Sequence, residues 1–313
     1  MPYKKILRRT AWSVLILFVL VNLFAGFHAY KFTHFSDTKA PRTDPRKLSV
    51  TGKLKTIFFG VDNPRPVTRR KPDRPYQTIH LQSNYRIECW LLKTPEGRGT
   101  VALFHGYSGE KSSLLEKAYA FTEMGYNAVL VDFMGSGGSG GNHTTIGYKE
   151  SQDVKTVYDY LSAQGEKNIY LFGSSLGAAA VLKALHDDAL RPRGIIIECP
   201  FATLYDATCA RFRAVGVPGF PLAGFVVFWG GVENGFWGFS HRPVRYAEDV
   251  KVPALMFYGE KDERVPRPEI DAIYAALAGS KKLVTFPEAG HSNYFAKYRY
   301  EWVTASRRFL LEH

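Results

Sequence analysis

The chain has 313 residues, of which 45% are hydrophobic and 22% are charged, so it is long and apolar enough to bury the core of a globular domain. Its formal net charge of +12 comes from one end, because residues 1–75 hold 16 Lys/Arg and 4 Asp/Glu, whereas residues 76–313 hold 25 of each. A basic segment confined to one end, with no nucleic-acid-binding motif, indicates contact with anionic lipid headgroups and argues against a nucleic-acid partner.

The first predicted element is an apolar run over residues 11–27, which stays uncharged to Tyr30 and follows four basic residues at positions 4, 5, 8 and 9. About 20 residues cross a bilayer core, so residues 11–30 predict a single-pass transmembrane helix within an anchor segment 1–30. A cleaved signal sequence is the alternative, although its apolar region is usually shorter and the best cleavage site here is flanked by Phe27 and Ala29. Basic residues on both sides nearly balance, and we expect the folded domain on the non-cytoplasmic side.

Residues 31–75 contain six prolines among many basic residues, which predicts an extended connector with a short strand at 56–59. The predicted domain then covers residues 76–313. Its first two segments, 76–83 and 86–92, alternate polar and apolar residues, a pattern typical of an antiparallel strand pair with one face in water.

From residue 100 onwards, short apolar runs alternate with segments of helical periodicity. The runs predict buried strands at 101–104, 128–132, 169–172, 195–198, 254–258 and 283–286. The segments between and after them predict helices at 112–124, 148–164, 175–190, 267–278 and 293–311. Such alternation predicts an α/β fold with a mainly parallel central sheet and helices on both faces.

One stretch interrupts this alternation, because residues 214–232 carry no charge and contain Pro218 and Pro221. We interpret residues 214–241 as a small apolar cap insertion over the active site, where it offers a wall to an acyl chain. Ordinary core packing is the main alternative. A second membrane span is a poor one, since the prolines interrupt a helix of that length.

Two pentapeptides have the pattern Gly-x-Ser-x-Gly, which places a nucleophilic serine on a sharp turn between a strand and a helix. The one at residues 173–177 lies between a predicted strand and an alanine-rich helix, so it nominates Ser175 as the nucleophile. The other, at 137–141, is centred on Ser139 in a glycine-rich loop with no helix at its end. A flexible loop is the favoured interpretation of this second match.

A serine hydroxyl needs a base to remove its proton, and a histidine base needs a carboxylate to fix its tautomer. Asp262 and His291 each follow a predicted strand, so they complete a candidate triad with Ser175. Glu198, at the end of another strand, is the reserve candidate for the acid. This chemistry needs no metal or cofactor, and the three cysteines show neither zinc nor C-x-x-C spacing.

Acyl transfer also needs N–H donors for the oxygen that becomes negative in the tetrahedral intermediate. The peptide N–H of Leu176, directly after the nucleophile, is one predicted donor. The loop after the strand at 101–104 begins with His105-Gly106 and offers the N–H of Tyr107 as the second. His105 itself is expected to organise the loop rather than to act as a base.

With Ser175, Asp262 and His291 in this order, the chain resembles the α/β-hydrolase superfamily of serine hydrolases, from about residue 76 to the end. Within it, the chain resembles membrane-anchored hydrolases related to serine aminopeptidase-like and lysophospholipase-like proteins. Further similarity lies in the segments 198–204 and 252–255. The branch often has an arginine in the loop after the fourth strand, where this chain has Met134, which puts any role of that arginine in doubt.

The resemblance implies a serine hydrolase, and we expect it to cleave a carboxylic ester or thioester, with a lipid-like acyl group, through an acyl-enzyme. A serine peptidase of the same fold and a non-catalytic binding module are the alternatives. The glycines at 135, 137 and 140 formally match a dinucleotide-binding fingerprint, but no helix follows directly to hold a pyrophosphate.

Overall fold

The computed structural model of the protein describes residues 2–37, 48–95, 97–188, 190–291 and 294–313. The α-helices are α1 (Pro2–Thr33), α2 (Val50–Phe59), α3 (Leu115–Glu123), α4 (Glu150–Ala163), α5 (Leu176–Asp188), α6 (Leu204–Val215), α7 (Leu222–Asn234), α8 (Pro243–Tyr246), α9 (Arg267–Ala276), α10 (Tyr294–Lys297) and α11 (Arg299–Glu312). The strands are β1 (Gln77–Gln82), β2 (Arg86–Leu92), β3 (Thr100–Phe104), β4 (Asn127–Val131), β5 (Ile169–Ser174), β6 (Gly194–Glu198), β7 (Ala254–Gly259) and β8 (Lys281–Phe286).

The eight strands form one sheet in the order β1-β2-β4-β3-β5-β6-β7-β8. Strand β2 runs antiparallel to β1 and β4, and all other neighbouring strands are parallel. The mainly parallel sheet predicted from the sequence is therefore confirmed.

Both faces of the sheet are buried, which explains why its central strands are continuous apolar runs. Successive residues of β3 point to opposite faces, so Ala102 and Phe104 join the core on one side, with α4 and α5, while Val101 and Leu103 join the core on the other, with α3 and α11. Parallel strands covered on both faces have no polar side to alternate with the apolar one.

The N-terminal region is more helical than the sequence predicted. Helix α1 continues to Thr33, and of the described residues it provides the one helix that is long and apolar enough to cross a membrane. The strand predicted at 56–59 is wrong, because these residues end helix α2, whose first turn is capped by Ser49 Oγ accepting from the N–H of Gly52 at 3.2 Å. Part of the predicted connector, 38–47, lies outside the described residues.

Helices α6 and α7 lie between β6 and β7, where the sequence predicted an apolar insertion at 214–241. That range covers all of α7 and the last residues of α6. Helix α6 begins at Leu204, because Thr203 Oγ1 accepts a hydrogen bond of 3.1 Å from the N–H of Asp206 and so caps the first turn. The helical segment made of α6 and α7 therefore begins ten residues before the charge-free stretch 214–232.

The candidate site residues follow strands that end at the same edge of the sheet. Ser175 directly follows β5, Asp262 lies three residues after β7, and His291 lies five residues after β8. Because these three strands are parallel, their carboxyl ends meet on one side, which is where open α/β sheets bind their ligands.

Candidate active site

Ser175 occupies the turn between β5 and α5, and its φ of +52° lies in the left-handed region that side-chain-bearing residues rarely adopt. A Cβ at Gly173 would lie 2.5 Å from the carbonyl oxygen of Gly177, and a Cβ at Gly177 would lie 2.3 Å from that of Phe104. Both positions therefore require glycine. The turn is held by the N–H of Ser175, which donates to the carbonyl oxygen of Glu198 at 2.8 Å.

The imidazole of His291 lies between the side chains of Ser175 and Asp262. Its Nε2 is 3.1 Å from Ser175 Oγ, and its Nδ1 is 2.8 Å from Asp262 Oδ2. The other carboxylate oxygen of Asp262 accepts from the N–H groups of Arg264 and Val265, at 2.8 and 3.0 Å. Because a carboxylate only accepts, this network assigns the ring proton to Nδ1 and leaves Nε2 to accept from the serine hydroxyl.

The environment of His291 favours its charged form. Burial lowers the pKa of His291, but the Cys199 sulfur and the Asp262 carboxylate raise it, and the net pKa lies above the usual 6.5. The side chain of Asp262 has no exposed surface and that of His291 is 11% exposed, so solvent screens this pair weakly.

Cys199 is a neighbour of the candidate triad that sequence analysis missed. It follows β6 with a φ of +38°, and its Sγ lies 3.8 Å from the carbonyl oxygen of His291. A ligand atom from each of Cys199, Asp262 and His291 lies within 4.8 Å of the others, close enough to hold a metal ion. The cysteine and the histidine are far apart in sequence, so only the fold brings this cluster together.

Glu198, the reserve candidate for the acid, has other partners. One carboxylate oxygen accepts from Lys117 Nζ at 2.6 Å and the other accepts from Trp302 Nε1 at 2.8 Å. Both the lysine and the glutamate are buried, and their ion pair joins β6 to α3. The hydrogen bond from Trp302 joins β6 to α11. The carboxylate that reaches His291 in the structure is Asp262.

The two predicted oxyanion donors lie on segments that meet at Ser175. Leu176 is the first residue of α5, where a helix leaves its N–H groups without internal acceptors. The loop with Tyr107 approaches from β3, since a Cβ at Gly106 would lie 3.3 Å from the carbonyl oxygen of Ser174. The buried ring of His105 holds this loop, because its Nδ1 donates to the carbonyl oxygen of Gly106 at 2.8 Å.

Ser139, the centre of the second pentapeptide, is buried and bonded within its loop. Its Oγ donates to the carbonyl oxygen of Asp132 at 2.7 Å and accepts from the N–H of Glu88 at 2.9 Å. The carboxylates of Asp132 and Glu88 both pair with the buried Lys111, a position that no sequence pattern predicts for a cation. Met134 is also buried, and its N–H donates to Asp153.

A cavity of about 490 Å³ lies above Ser175 and His291. Its lining includes Arg211 of α6, Val217 between α6 and α7, and Leu222 at the start of α7. The N-terminal helices also contribute, which the sequence did not predict. These residues are Phe24, His28 and Phe32 of α1 and Lys53, Thr56 and Ile57 of α2.

Comparisons with known proteins agree with this architecture. Residues 95–218 match the family model described as serine aminopeptidase, S33, and residues 207–307 match that of the dienelactone hydrolase family. The chain is 24% identical over 232 residues to the protein YqkD of Bacillus subtilis, an alignment that covers 72% of this chain and 75% of YqkD. It is 23% identical over 189 residues to the lysophosphatidylserine lipase ABHD12 of Xenopus tropicalis, covering 58% of this chain and 48% of that protein.

Among solved structures, the esterase Pf2001 of Pyrococcus furiosus is similar, with a TM-score of 0.66 and 21% sequence identity. The match covers 80% of this chain and 98% of the esterase. At this identity the likeness extends to the fold, and the substrate has to be argued from the residues around the cavity.

Proposed function

We propose that this chain, a hydrolase of the α/β-hydrolase superfamily, cleaves carboxylic esters or thioesters of lipid-like acyl groups at a membrane surface. The observation that carries the proposal is the hydrogen-bonded series Ser175–His291–Asp262 at the base of a cavity with apolar walls. A serine next to a base, with the base oriented by a carboxylate, is the arrangement that nucleophilic acyl transfer requires.

In the first half of the proposed reaction, Ser175 Oγ attacks the substrate carbonyl carbon while His291 Nε2 takes the hydroxyl proton. The imidazolium is stabilised by Asp262, and it then gives the proton to the leaving alcohol or thiol as the bond to the carbonyl carbon breaks. In the second half, Nε2 takes a proton from water as the water oxygen attacks the acyl-enzyme carbonyl. Nε2 then returns this proton to Ser175 Oγ as the bond between Oγ and the acyl carbon breaks and the acid leaves. In each half of the reaction, Nε2 accepts one proton and later returns one proton.

The negative oxygen of each tetrahedral intermediate would be bound by the N–H groups of Leu176 and Tyr107. The position of Leu176 at the start of α5 supports its role, because the helix dipole adds positive potential there. The role of Tyr107 is supported by the close approach of its loop to Ser175.

A lipid-like acyl group is supported by the walls of the cavity and by one relative. The apolar residues Phe24, Val217 and Leu222 line the cavity, and burying a methylene group against such a wall contributes about 0.8 kcal/mol. The name of the Xenopus relative, a lysophosphatidylserine lipase, points to the same class of substrate.

We further propose that α1 stays attached and anchors the domain in a membrane, rather than being removed as a signal sequence. The last turns of α1 are part of the domain, since Ala25 and Ala29 are buried against Val226 of α7. Cleavage near the site flanked by Phe27 and Ala29 would remove this packing and part of the cavity wall.

A fluorophosphonate probe tests the proposal on the full-length protein in detergent. We expect the wild type to be labelled and to hydrolyse 4-methylumbelliferyl esters, and Ser175→Ala to lose both. Ser139→Thr is the matched control, because it keeps the bonded hydroxyl of the other pentapeptide, and we expect it to be labelled like the wild type. A folded wild type that is neither labelled nor active would instead indicate a non-catalytic binding module.

A serine peptidase is the second candidate, because the matching family model is described as serine aminopeptidase. The same triad would attack an amide, and the proton from His291 would pass to the leaving amine. Aminoacyl 4-methylcoumarinamides and methylumbelliferyl esters distinguish the two functions. We expect a higher kcat/KM for the esters, and a preference for the amides would favour the peptidase.

A further inference from the structure

Helix α1 contacts two different environments. The side chains of residues 3–20 are exposed, whereas Ala25 and Ala29 are buried in the domain. Both alanines fall within the uncharged stretch 11–30, which is about 30 Å long as a helix and matches the thickness of a bilayer core. With α1 across a bilayer, the domain therefore contacts the helix at a depth that lipid chains reach.

Helix α7 runs beside α1 at this depth. The rings of Phe18 and Phe225 are 6.4 Å apart in an edge-to-face arrangement, and a Cβ at Gly26 would lie 3.8 Å from the ring of Trp229. Small residues that allow close approach of two helices are typical of packing inside membranes. Residues 214–232 carry no charge, so most of α7 can share the apolar environment of α1.

Exposed aromatic side chains lie on α2 and just before α7, two elements that contact α1. Phe220, before α7, is 81% exposed, and Phe58 and Phe59 of α2 are also largely exposed. Helix α2 is joined to α1 by the ring of His28, whose Nε2 donates to the carbonyl oxygen of Ile57 at 2.9 Å. Large exposed apolar side chains on segments next to a membrane-spanning helix indicate contact with the membrane.

The cavity connects this surface to the candidate nucleophile. Its lining includes Phe24 of α1 and Leu222 of α7 together with Ser175 and His291. From this continuity we infer that α1 is a wall of the acyl-binding site and that the substrate enters from the bilayer, between α1 and the segment before α7. The inference rests on the proposed hydrolase function and adds the origin of the substrate, which is membrane lipid.

The first test changes the wall formed by α1 in the full-length protein, reconstituted into phosphatidylcholine/phosphatidylglycerol vesicles. Phe24→Trp enlarges a residue that lines the cavity, whereas Leu23→Trp places the same side chain at nearly the same depth on the exposed side of α1. The probes are 4-methylumbelliferyl oleate within the vesicles and 4-methylumbelliferyl acetate from solution. We expect Phe24→Trp to lower the oleate-to-acetate rate ratio about tenfold, and Leu23→Trp to change it by less than about twofold.

The second test changes the surface that contacts the bilayer. Phe220→Asp introduces a charge into that surface without altering the cavity lining. Leu311→Asp is the matched control, because Leu311 is also exposed but lies at the opposite end of the strands. The carbonyl oxygen of its neighbour Leu310 accepts from the hydroxyl of Tyr126, which directly precedes β4. We expect Phe220→Asp to slow oleate hydrolysis in vesicles about tenfold and to leave acetate hydrolysis unchanged, with no effect of Leu311→Asp on either.

The outcomes separate this inference from the function on which it rests. Wild-type protein that hydrolyses both acetate and oleate and is labelled by fluorophosphonate keeps the proposed function, whatever the variants do. Equal oleate-to-acetate rate ratios for Phe24→Trp and Leu23→Trp would contradict the inference that α1 is a wall of the acyl-binding site. Oleate hydrolysis by Phe220→Asp at the wild-type rate would overturn entry from the bilayer.

Discussion

Trp229 Nε1 donates a hydrogen bond of 3.0 Å to Asn22 Oδ1 and thereby joins the cap helix α7 to the apolar helix α1. The amide nitrogen of Asn22 donates in turn to the carbonyl oxygen of Phe18 at 2.8 Å, so both ends of the side chain are satisfied. An asparagine is costly in an apolar helix unless it finds such partners. The bond therefore sets the rotation and register of α1 against the cap.

Loss of this bond is expected to loosen the attachment of α1. Trp229→Phe keeps the aromatic packing and removes the donor, which should lower the free energy of unfolding by about 0.6 kcal/mol and by no more than about 1.7 kcal/mol. Chemical unfolding of the full-length protein in detergent micelles measures the difference. Trp12→Phe, on the exposed part of α1, is the control that should unfold like the wild type. Equal loss in both variants would mean that the bond is not the cause.

Asp262 is expected to be needed for the tautomer of His291. In Asp262→Asn, an amide N–H can donate to Nδ1, which moves the ring proton to Nε2 and prevents it from accepting the serine proton. We expect kcat to fall by about 10⁴-fold, which is the size of effect that a wrong histidine tautomer has in a Ser-His-Asp triad. Steady-state hydrolysis of a methylumbelliferyl ester measures it, and a loss below about tenfold would argue against this role.

Glu198→Gln separates the reserve acid from Asp262. Its carboxylate pairs with Lys117, so the substitution leaves a buried cation without its partner and should lower the free energy of unfolding by about 3 to 5 kcal/mol. Folded Glu198→Gln, normalised by fluorophosphonate labelling, should keep a kcat within about tenfold of the wild type. A loss of kcat as large as that of Asp262→Asn would make Glu198 part of the reaction.

The pH dependence of hydrolysis should follow His291. The base must be neutral, so kcat/KM should rise as pH increases through the pKa of His291 in the free enzyme. Burial lowers this pKa, while Cys199 and Asp262 raise it above its usual value. Cys199→Ala should therefore shift the acidic limb of the kcat/KM profile to lower pH. Cys209→Ala in α6 is the control, and identical profiles for the two variants would show that Cys199 has no influence on the base.

The central sheet and the candidate triad were predictable because each left a local pattern. Strands covered on both faces are continuous apolar runs, and the turn at Ser175 requires glycine at 173 and 177 because their Cβ atoms would strike backbone. The wall formed by α1 and α2 left no such pattern. Residues 56–59 read Thr-Ile-Phe-Phe, which are good strand residues. They nevertheless end helix α2, which begins at the Ser49 cap and is joined to α1 by the hydrogen bond between His28 and Ile57.

Buried charges were equally invisible in the sequence. Lys111 is completely buried, and its charge is paired with Asp132 and Glu88 from two other segments of the chain. No spacing along the sequence predicts these contacts. The spacing of Cys199 predicts no contact with the candidate triad, and only the fold of the chain after β8 brings His291 beside it. Sequence patterns record local requirements, whereas these contacts arise from tertiary packing.

Arg211 is expected to give the enzyme a preference for negatively charged substrates. Its guanidinium lines the cavity and lies 4.3 Å from the ring centroid of Tyr107 and 4.9 Å from that of Phe32. The rings of Tyr107 and Phe32 hold the guanidinium beside the oxyanion loop. There it can bind a phosphate or carboxylate with charge-assisted hydrogen bonds.

A pair of substrates that differ only in a phosphate group tests this preference, namely 1-oleoylglycerol and 1-oleoylglycerol 3-phosphate. Arg211→Gln should lower kcat/KM for the phosphate ester about tenfold and change that for the neutral ester by less than about twofold, because a charge-assisted hydrogen bond contributes about 1.5 to 3 kcal/mol. Arg245→Gln is the control, since Arg245 is exposed and pairs with Glu248 on the surface. Unchanged kcat/KM values for both esters in Arg211→Gln would show that Arg211 does not bind the phosphate, and an equal loss on both would place it in the binding of the part that the two esters share.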